Sequence, residues 1–431
     1  MLARAARIGS VLGMLVAPLV GGCGNSGDGA QPDAPAQGDA QGTPDAAPLP
    51  SGVVAVPLAS IGGGYSGPLR FGAETFQAIV DTGSSSTGVA AATCTGCNVQ
   101  PEYATTGAAV DKHQTASSMY GDGTGWKGEV FEDTASIGDG PAVALDFAAI
   151  QSSQGFFRQG SYQGIIGLGP DAALLPHTTS YVTTAIQKGM APQIAFQLCP
   201  DSGTMWLGGY DPAATTAPPV FTPMVSGAPY DMVRVGGASV GGADFGVTGA
   251  DFGPTIIDTG TTMTFVPTAV LTKLVAAISA APGYSQVFGT QKLDNQNCLT
   301  TTKTSAEIDA AMPPLGVAFP GAAGAGASAP IAIPATRAYL FAQGGGSYCF
   351  SVADSSQLAG SQKVSLIGNT LLAGMITIID TGTHEIGFAP QTGCAQANVA
   401  HAAAVVAPVH APGQPWWRND PRVRLPAALR L

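Results

Sequence analysis

The stretch "AIVDTGS" occupies Ala78–Ser84, and "TIIDTGT" occupies Thr255–Thr261 and again Thr377–Thr383. Three apolar runs therefore end in Asp-Thr-Gly. A short apolar run that stops at a polar residue and glycine reads as a buried strand breaking into a turn. The residues downstream of each copy tell the three apart. After the first comes "GIIGLG", Gly164–Gly169, and after the second comes "SLIGNT", Ser365–Thr370. The third copy has no such sequel before Cys394. Asp380 is accordingly read as a turn residue using local Asx chemistry, with its replacement of Asp258 as the alternative. The chain thus contains a loose duplication: two strand-ending Asp-Thr-Gly turns, Asp81–Gly83 and Asp258–Gly260, each with a later apolar-apolar-Gly element. The second half is longer, and "GAAGAGASAP", Gly321–Pro330, is a low-complexity loop that absorbs the excess.

The rest of the composition fits a large β protein. The 431 residues suffice for two domains or one bilobed one. With 59 Gly, 33 Pro and only 10% charged residues, short strands between tight turns are expected and long helices are not. The formal charge of −11 disfavours nucleic acid and anionic surfaces as ligands.

The first residues read as an export signal. Arg4 and Arg7 precede an apolar stretch, Ile8–Val20, that is too short to span a bilayer. It ends in "VGGC", Val20–Cys23, which resembles the lipobox of bacterial lipoproteins and makes Cys23 the expected lipid attachment site; an ordinary secretory signal is the alternative. Residues 1–22 are then the signal peptide. Residues 23–50, rich in Pro, Ala, Gly and Asp, are a flexible tether without a core. The expected location is the cell envelope, on the periplasmic face or the cell surface. Without Cys23, six cysteines remain, an even number that suits disulfides in an exported chain.

The two D-T-G-S/T turns, the "YGDGT" at Tyr120–Thr124 between them and the apolar-apolar-Gly elements together resemble the pepsin-like aspartic proteases over roughly residues 53–394. The resemblance implies a mostly β, bilobed acid-protease fold, with two related six-stranded-type β lobes and the active-site cleft between them. The expected N-terminal lobe is 51–225 and the C-terminal lobe 226–394. Residues 395–431 are then a C-terminal extension, expected to be disordered; it carries the adjacent Trp416 and Trp417.

The resemblance assigns catalysis to Asp81 and Asp258, one from each lobe. The chemistry explains the pairing. Water is a poor nucleophile and a peptide carbonyl a poor electrophile, so one carboxylate must take a proton while a neighbouring carboxylic acid gives one. Two carboxyls held close cannot both ionise and so share a proton. By the same resemblance, Thr82 and Thr259 are expected to cross-bond the loops. Gly83 and Gly260 leave room for the opposing loop and offer N–H groups, and Ser84 and Thr261 offer hydroxyls to the carboxylates. Ser117–Glu129 reads as a hairpin; by resemblance it is the substrate-binding flap, with Tyr120 as a wall and Gly121, Asp122 and Gly123 at the tip. An extended peptide would be bound there as an added strand.

Some positions depart from the family. Gly88 stands where a tryptophan usually supports the flap tyrosine, with Trp126 as the candidate substitute, and Thr262 replaces a common serine. Gly24–Pro50 has no Lys or Arg, so no basic inhibitory prosegment of the family's type is expected. Disulfides Cys94–Cys97, Cys298–Cys349 and Cys199–Cys394 are implied by the resemblance, the last by the memapsin (β-secretase) branch. Neither metal nor cofactor is expected: the five histidines lack ligand spacing, and His384-Glu385 lacks the second histidine of a zinc protease. The expected activity is that of a monomeric aspartic endopeptidase, cleaving polypeptides beside apolar residues at acidic pH. A catalytically silent pepsin-like binding or envelope domain is the rival.

Overall fold

The structure, a computed structural model, describes residues 48–105, 107–121, 123–157, 160–322, 329–358, 363–394, 414–418, 420 and 422–425. Cys23 and Asp122 lie outside the described residues.

The fold begins with a meander. Strands Val54–Ser60, Tyr65–Phe71 and Glu74–Asp81 run antiparallel to their neighbours. Strand Glu74–Asp81 ends at the first D-T-G turn. The apolar-apolar-Gly strand Gly164–Gly167 lies parallel beside it, with Asp81 opposite Gly167. The chain leaves the turn and returns on the other flank of Gly164–Gly167 as strand Gly88–Thr95. The second half repeats this. Strand Pro254–Ile257 lies parallel to Ser365–Ile367, and Thr264–Val266 pairs with that same strand on its other side. In each half the apolar-apolar-Gly element is therefore the central strand over which a D-T-G turn crosses. The duplication in the sequence is a duplication of this crossing.

The halves differ in how their sheets are divided. One 13-stranded sheet carries the first half and runs on into a platform in the order Val54–Ser60, Ser202–Leu207, Gln193–Leu198, Met375–Asp380, Glu385–Pro390, Val220–Pro223. The second half is split among sheets of five, four and three strands. The crossing motifs are alike, but the lobes do not repeat one another strand for strand. The reason lies in the intervening chain. Helices Thr268–Ala280, Pro282–Phe288 and Ser305–Ala311 interrupt the strands of the second half. In the longest of them Val270, Leu274 and Ile278 recur every fourth residue and are buried, the stripe a helix needs to seat on a core. Each such burial contributes roughly 1.5–3 kcal/mol.

In the first half an aromatic group made of Phe71, Phe76, Tyr103 and Phe147 fills the core, with Phe71 and Phe147 centred 4.1 Å apart. Disulfides join Cys94 to Cys97, Cys199 to Cys394 and Cys298 to Cys349.

The expected disorder of 395–431 does not hold for the residues described there. Trp416 and Trp417 are buried. Trp416 Nε1 donates to the Phe350 carbonyl at 3.0 Å and its ring stacks on Phe341, while Trp417 meets Phe265 edge-on. Asp420 is buried as well, forked by the Arg422 guanidinium at 3.0 and 2.7 Å and receiving Gln343 Nε2 at 3.1 Å. Two adjacent indoles expose more apolar area than a solvated chain favours, and the apolar side chains of the second half receive them. Among the described residues no helix is long and apolar enough to cross a membrane.

Candidate active site

The two D-T-G turns meet back to back. The Thr82 amide donates to Thr259 Oγ1 at 3.1 Å and the Thr259 amide to Thr82 Oγ1 at 3.0 Å. Each hydroxyl then donates across to the opposite strand, Thr82 to the Ile257 carbonyl at 2.7 Å and Thr259 to the Val80 carbonyl at 2.9 Å. These four bonds are related by an approximate twofold axis. All the groups are buried, so breaking any one would strand a polar partner away from water.

Around each carboxyl the pattern is the same. The Gly83 amide donates to Asp81 Oδ1 at 2.8 Å, and Ser84 Oγ to Asp81 Oδ2 at 2.6 Å. The Gly260 amide donates to Asp258 Oδ1 at 2.8 Å, and Thr261 Oγ1 to Asp258 Oδ2 at 2.6 Å. Each carboxyl lies against the glycine of the opposite loop, Asp258 at Gly83 and Asp81 at Gly260, so the two are too close for both to carry charge and they share a proton. Both are buried, with relative exposures of 4% and 1%. Burial pushes both above the usual carboxylate range, and for Asp258 the charge of Asp81 adds to it. The two titrate as a pair, and over the interval between its two ionisations they hold one proton jointly. This is the arrangement of one acid and one base in contact that proton transfer to a carbonyl and from a water demands.

Further groups brace the site. Buried Asn369, at the end of the second apolar-apolar-Gly element, donates through Nδ2 to the Thr259 carbonyl at 2.8 Å and to the Gly63 carbonyl at 3.2 Å. It thereby ties the second loop to the first hairpin, a role not foreseen from the sequence; its place just after the glycine of the motif was the available signal. Asp380 is not part of the site. It closes the hairpin between Met375–Asp380 and Glu385–Pro390, accepting from the amides of Gly382 and Thr383 at 2.9 and 3.0 Å and from Gln193 Nε2 at 2.7 Å.

The hairpin expected to be the flap is formed by strands Val110–Met119 and Gly125–Ile137. Its turn is closed by Tyr120 N to Thr124 O at 2.8 Å and by Gly123 N to Tyr120 O at 3.0 Å, with Gly123 at φ +80°. Gly121 lies exposed at the tip. Trp126 Nε1 donates to the Tyr120 hydroxyl at 3.0 Å, and Tyr120 stacks on Phe156 at 5.2 Å. Burial, and then the charge of Asp81, pushes the Tyr120 phenol up.

Comparison with known proteins agrees with this geometry. The family model for eukaryotic aspartyl proteases matches residues 64–391. The chain belongs to the aspartyl protease family. An aspartic protease of Phaffia rhodozyma is 30% identical over 329 residues, covering 75% of this chain and 76% of that protein. Gastricsin of Cavia porcellus is 25% identical over 350 residues, covering 77% and 82%. A vacuolar aspartic protease of Candida albicans is 32% identical over a shorter 151-residue stretch. These aspartyl protease relatives are fungal and mammalian. The chain is thus a pepsin-like aspartic-type peptidase.

Proposed function

We propose that Asp81 and Asp258 are the catalytic pair of an endopeptidase, with Asp81 as the base and Asp258 as the acid. Water between them gives a proton to Asp81 as its oxygen attacks the scissile carbonyl carbon. Asp258 gives its proton to the carbonyl oxygen, yielding a tetrahedral diol. As the diol collapses the C–N bond breaks, Asp81 passes its proton to the departing amine, and a diol hydroxyl gives its proton back to Asp258. Such paired acid and base action supplies about 10²–10⁴ in rate, and the dry, prearranged site supplies more. The observation carrying this reading is two buried carboxyls, each set against the other's loop and held by matching donors.

The singly protonated pair is present only between its two ionisations, so we read the enzyme as acting in mild acid. Buried Tyr120, Phe156 and Tyr162 support a preference for apolar residues beside the scissile bond. Both aspartates come from one chain, which supports action as a monomer. Arg4, Arg7, the apolar stretch, "VGGC" and the three disulfides support export, with lipid attachment at Cys23 tethering the enzyme to an envelope membrane.

Cleavage of a denatured protein in mild acid tests the central reading. Asp81→Asn and Asp258→Asn are each expected to lose at least about 10³ in kcat, and pepstatin to block the parent. Full activity in Asp258→Asn would overturn it.

A further inference from the structure

The groove beside the candidate pair already holds a segment of this chain. Thr262 is the fourth residue after Asp258. Its amide donates to the Arg424 carbonyl at 3.1 Å, and the Arg424 amide donates to Thr262 Oγ1 at 2.8 Å. Paired bonds from a groove residue to the N–H and C=O of one residue are how an extended peptide is held when it adds to a sheet edge. On the opposite wall the hairpin turn at Gly62–Gly64 packs on the same segment. A Cβ built on Gly64 would lie 3.3 Å from Arg424 Cδ, and one on Gly63 would run into the Arg422 carbonyl.

The Arg424 guanidinium lies 4.2 Å from the centre of the Tyr162 ring and 6.0 Å from that of Phe156, the ring on which Tyr120 stacks. Its positive charge acts on both Asp81 and Tyr120. Upstream, Trp416 and Trp417, together with the Gln343 bond to Asp420, fix the segment to the second half. The acidic tether before the fold carries no base that could face the carboxyl pair; the arginine-bearing segment near the other end does.

We propose that the segment Arg422–Leu425 is a built-in inhibitor, lying in the groove as a peptide substrate would, anchored by Trp416 and Trp417, and that activity is released when it is displaced or cut away. This rests on the reading of Asp81 and Asp258 as the catalytic pair. A segment on a short tether sees an effective concentration on the order of millimolar. An intrinsic affinity of only ~0.1 mM would then keep it seated about nine-tenths of the time and slow the enzyme about tenfold.

The test compares the full chain with one ending at Asp420, which keeps both indoles, and with full-length Arg424→Pro, which removes the amide bound to Thr262. Because segment and substrate compete, both changes are expected to raise kcat/KM at least about tenfold through a lower KM, with kcat held. Equal KM in all three would overturn the inhibitory segment while leaving the protease reading intact. A separate arm needs no turnover. A peptide of residues 422–431 should bind the shortened chain in calorimetry, and pepstatin should prevent it. If no form cleaves any polypeptide, the protease reading fails and this arm still decides the segment, because absence of peptide binding overturns it.

Discussion

Gly83 and Gly260 decide how closely the two loops approach. A Cβ on Gly83 would sit 2.6 Å from the Asp258 carboxyl, and one on Gly260 would fall inside that of Asp81. Neither neighbour can yield, because each carboxyl is pinned by an amide and a hydroxyl. Gly260→Ala is therefore expected to lower kcat by about 10² or more, the usual penalty for a misplacement near 1 Å, while peptide binding to the groove changes far less; steady-state kinetics on the purified variant check this. The residue-level machinery was largely legible in the sequence. Each D-T-G-S/T carries its own donors in order, and the pairing of Thr82 with Thr259 was implied by the family resemblance. Asn369 was not legible, because its partners Gly63 and Thr259 are far away in the chain and no local pattern announces them.

At the scale of elements, the flap shows how a departure is accommodated. Position 88 is tight, since a Cβ there would lie 3.2 Å from Ile150 Cδ1 and the isoleucine would have to shift. The indole comes instead from the returning flap strand, where Trp126 reaches the Tyr120 hydroxyl. Trp126→Phe keeps most of the apolar area and removes that bond. It is expected to raise KM a few-fold with little change in kcat, and to reduce stability by about 1 kcal/mol, read by peptide kinetics and urea unfolding. The hairpin itself was readable from Tyr-Gly-x-Gly between strand-like runs. The hydrogen bond was not, since it depends on how the hairpin twists over the first lobe. The last segment misled for a similar reason: Trp416 and Trp417 fit no strand or helix period, and only the assembled second half offers them Phe341 and Phe265.

For the molecule as a whole, one carboxyl outside the site sets a dependence on acidity. Asp231 is buried beside the strand leading to Asp258, its carbonyl accepting from the Ile257 amide at 3.0 Å, and burial pushes its carboxyl up to about 7. Between the ordinary value of 3.8 and about 7 the folded chain keeps a proton that the unfolded chain releases. Folding stability is therefore fully present below the lower value and falls as pH rises through the window. The drop from this group is at most ~4 kcal/mol by pH 7. Asp231→Asn is expected to reduce the fall of the urea-unfolding midpoint between pH 4 and pH 7 relative to the parent, the remainder coming from the raised Asp81 and Asp258 pair. The overall bilobed plan was legible from the duplication, but the continuity of the 13-stranded sheet was not. Its platform joins strands far apart in sequence, such as Ala55 opposite Trp206 and Phe196 opposite Thr377.

That platform also governs what happens while the chain is being made. The strand Gln193–Leu198 has one neighbour in Ser202–Leu207, but its other neighbour is Met375–Asp380. At ordinary rates of synthesis, roughly ten to thirty seconds separate the emergence of these partners from the ribosome. During that interval the growing polypeptide carries an open, apolar strand edge of the kind that recruits other chains. It also has no floor joining its two halves. The nascent chain is therefore the form most exposed to association with its neighbours.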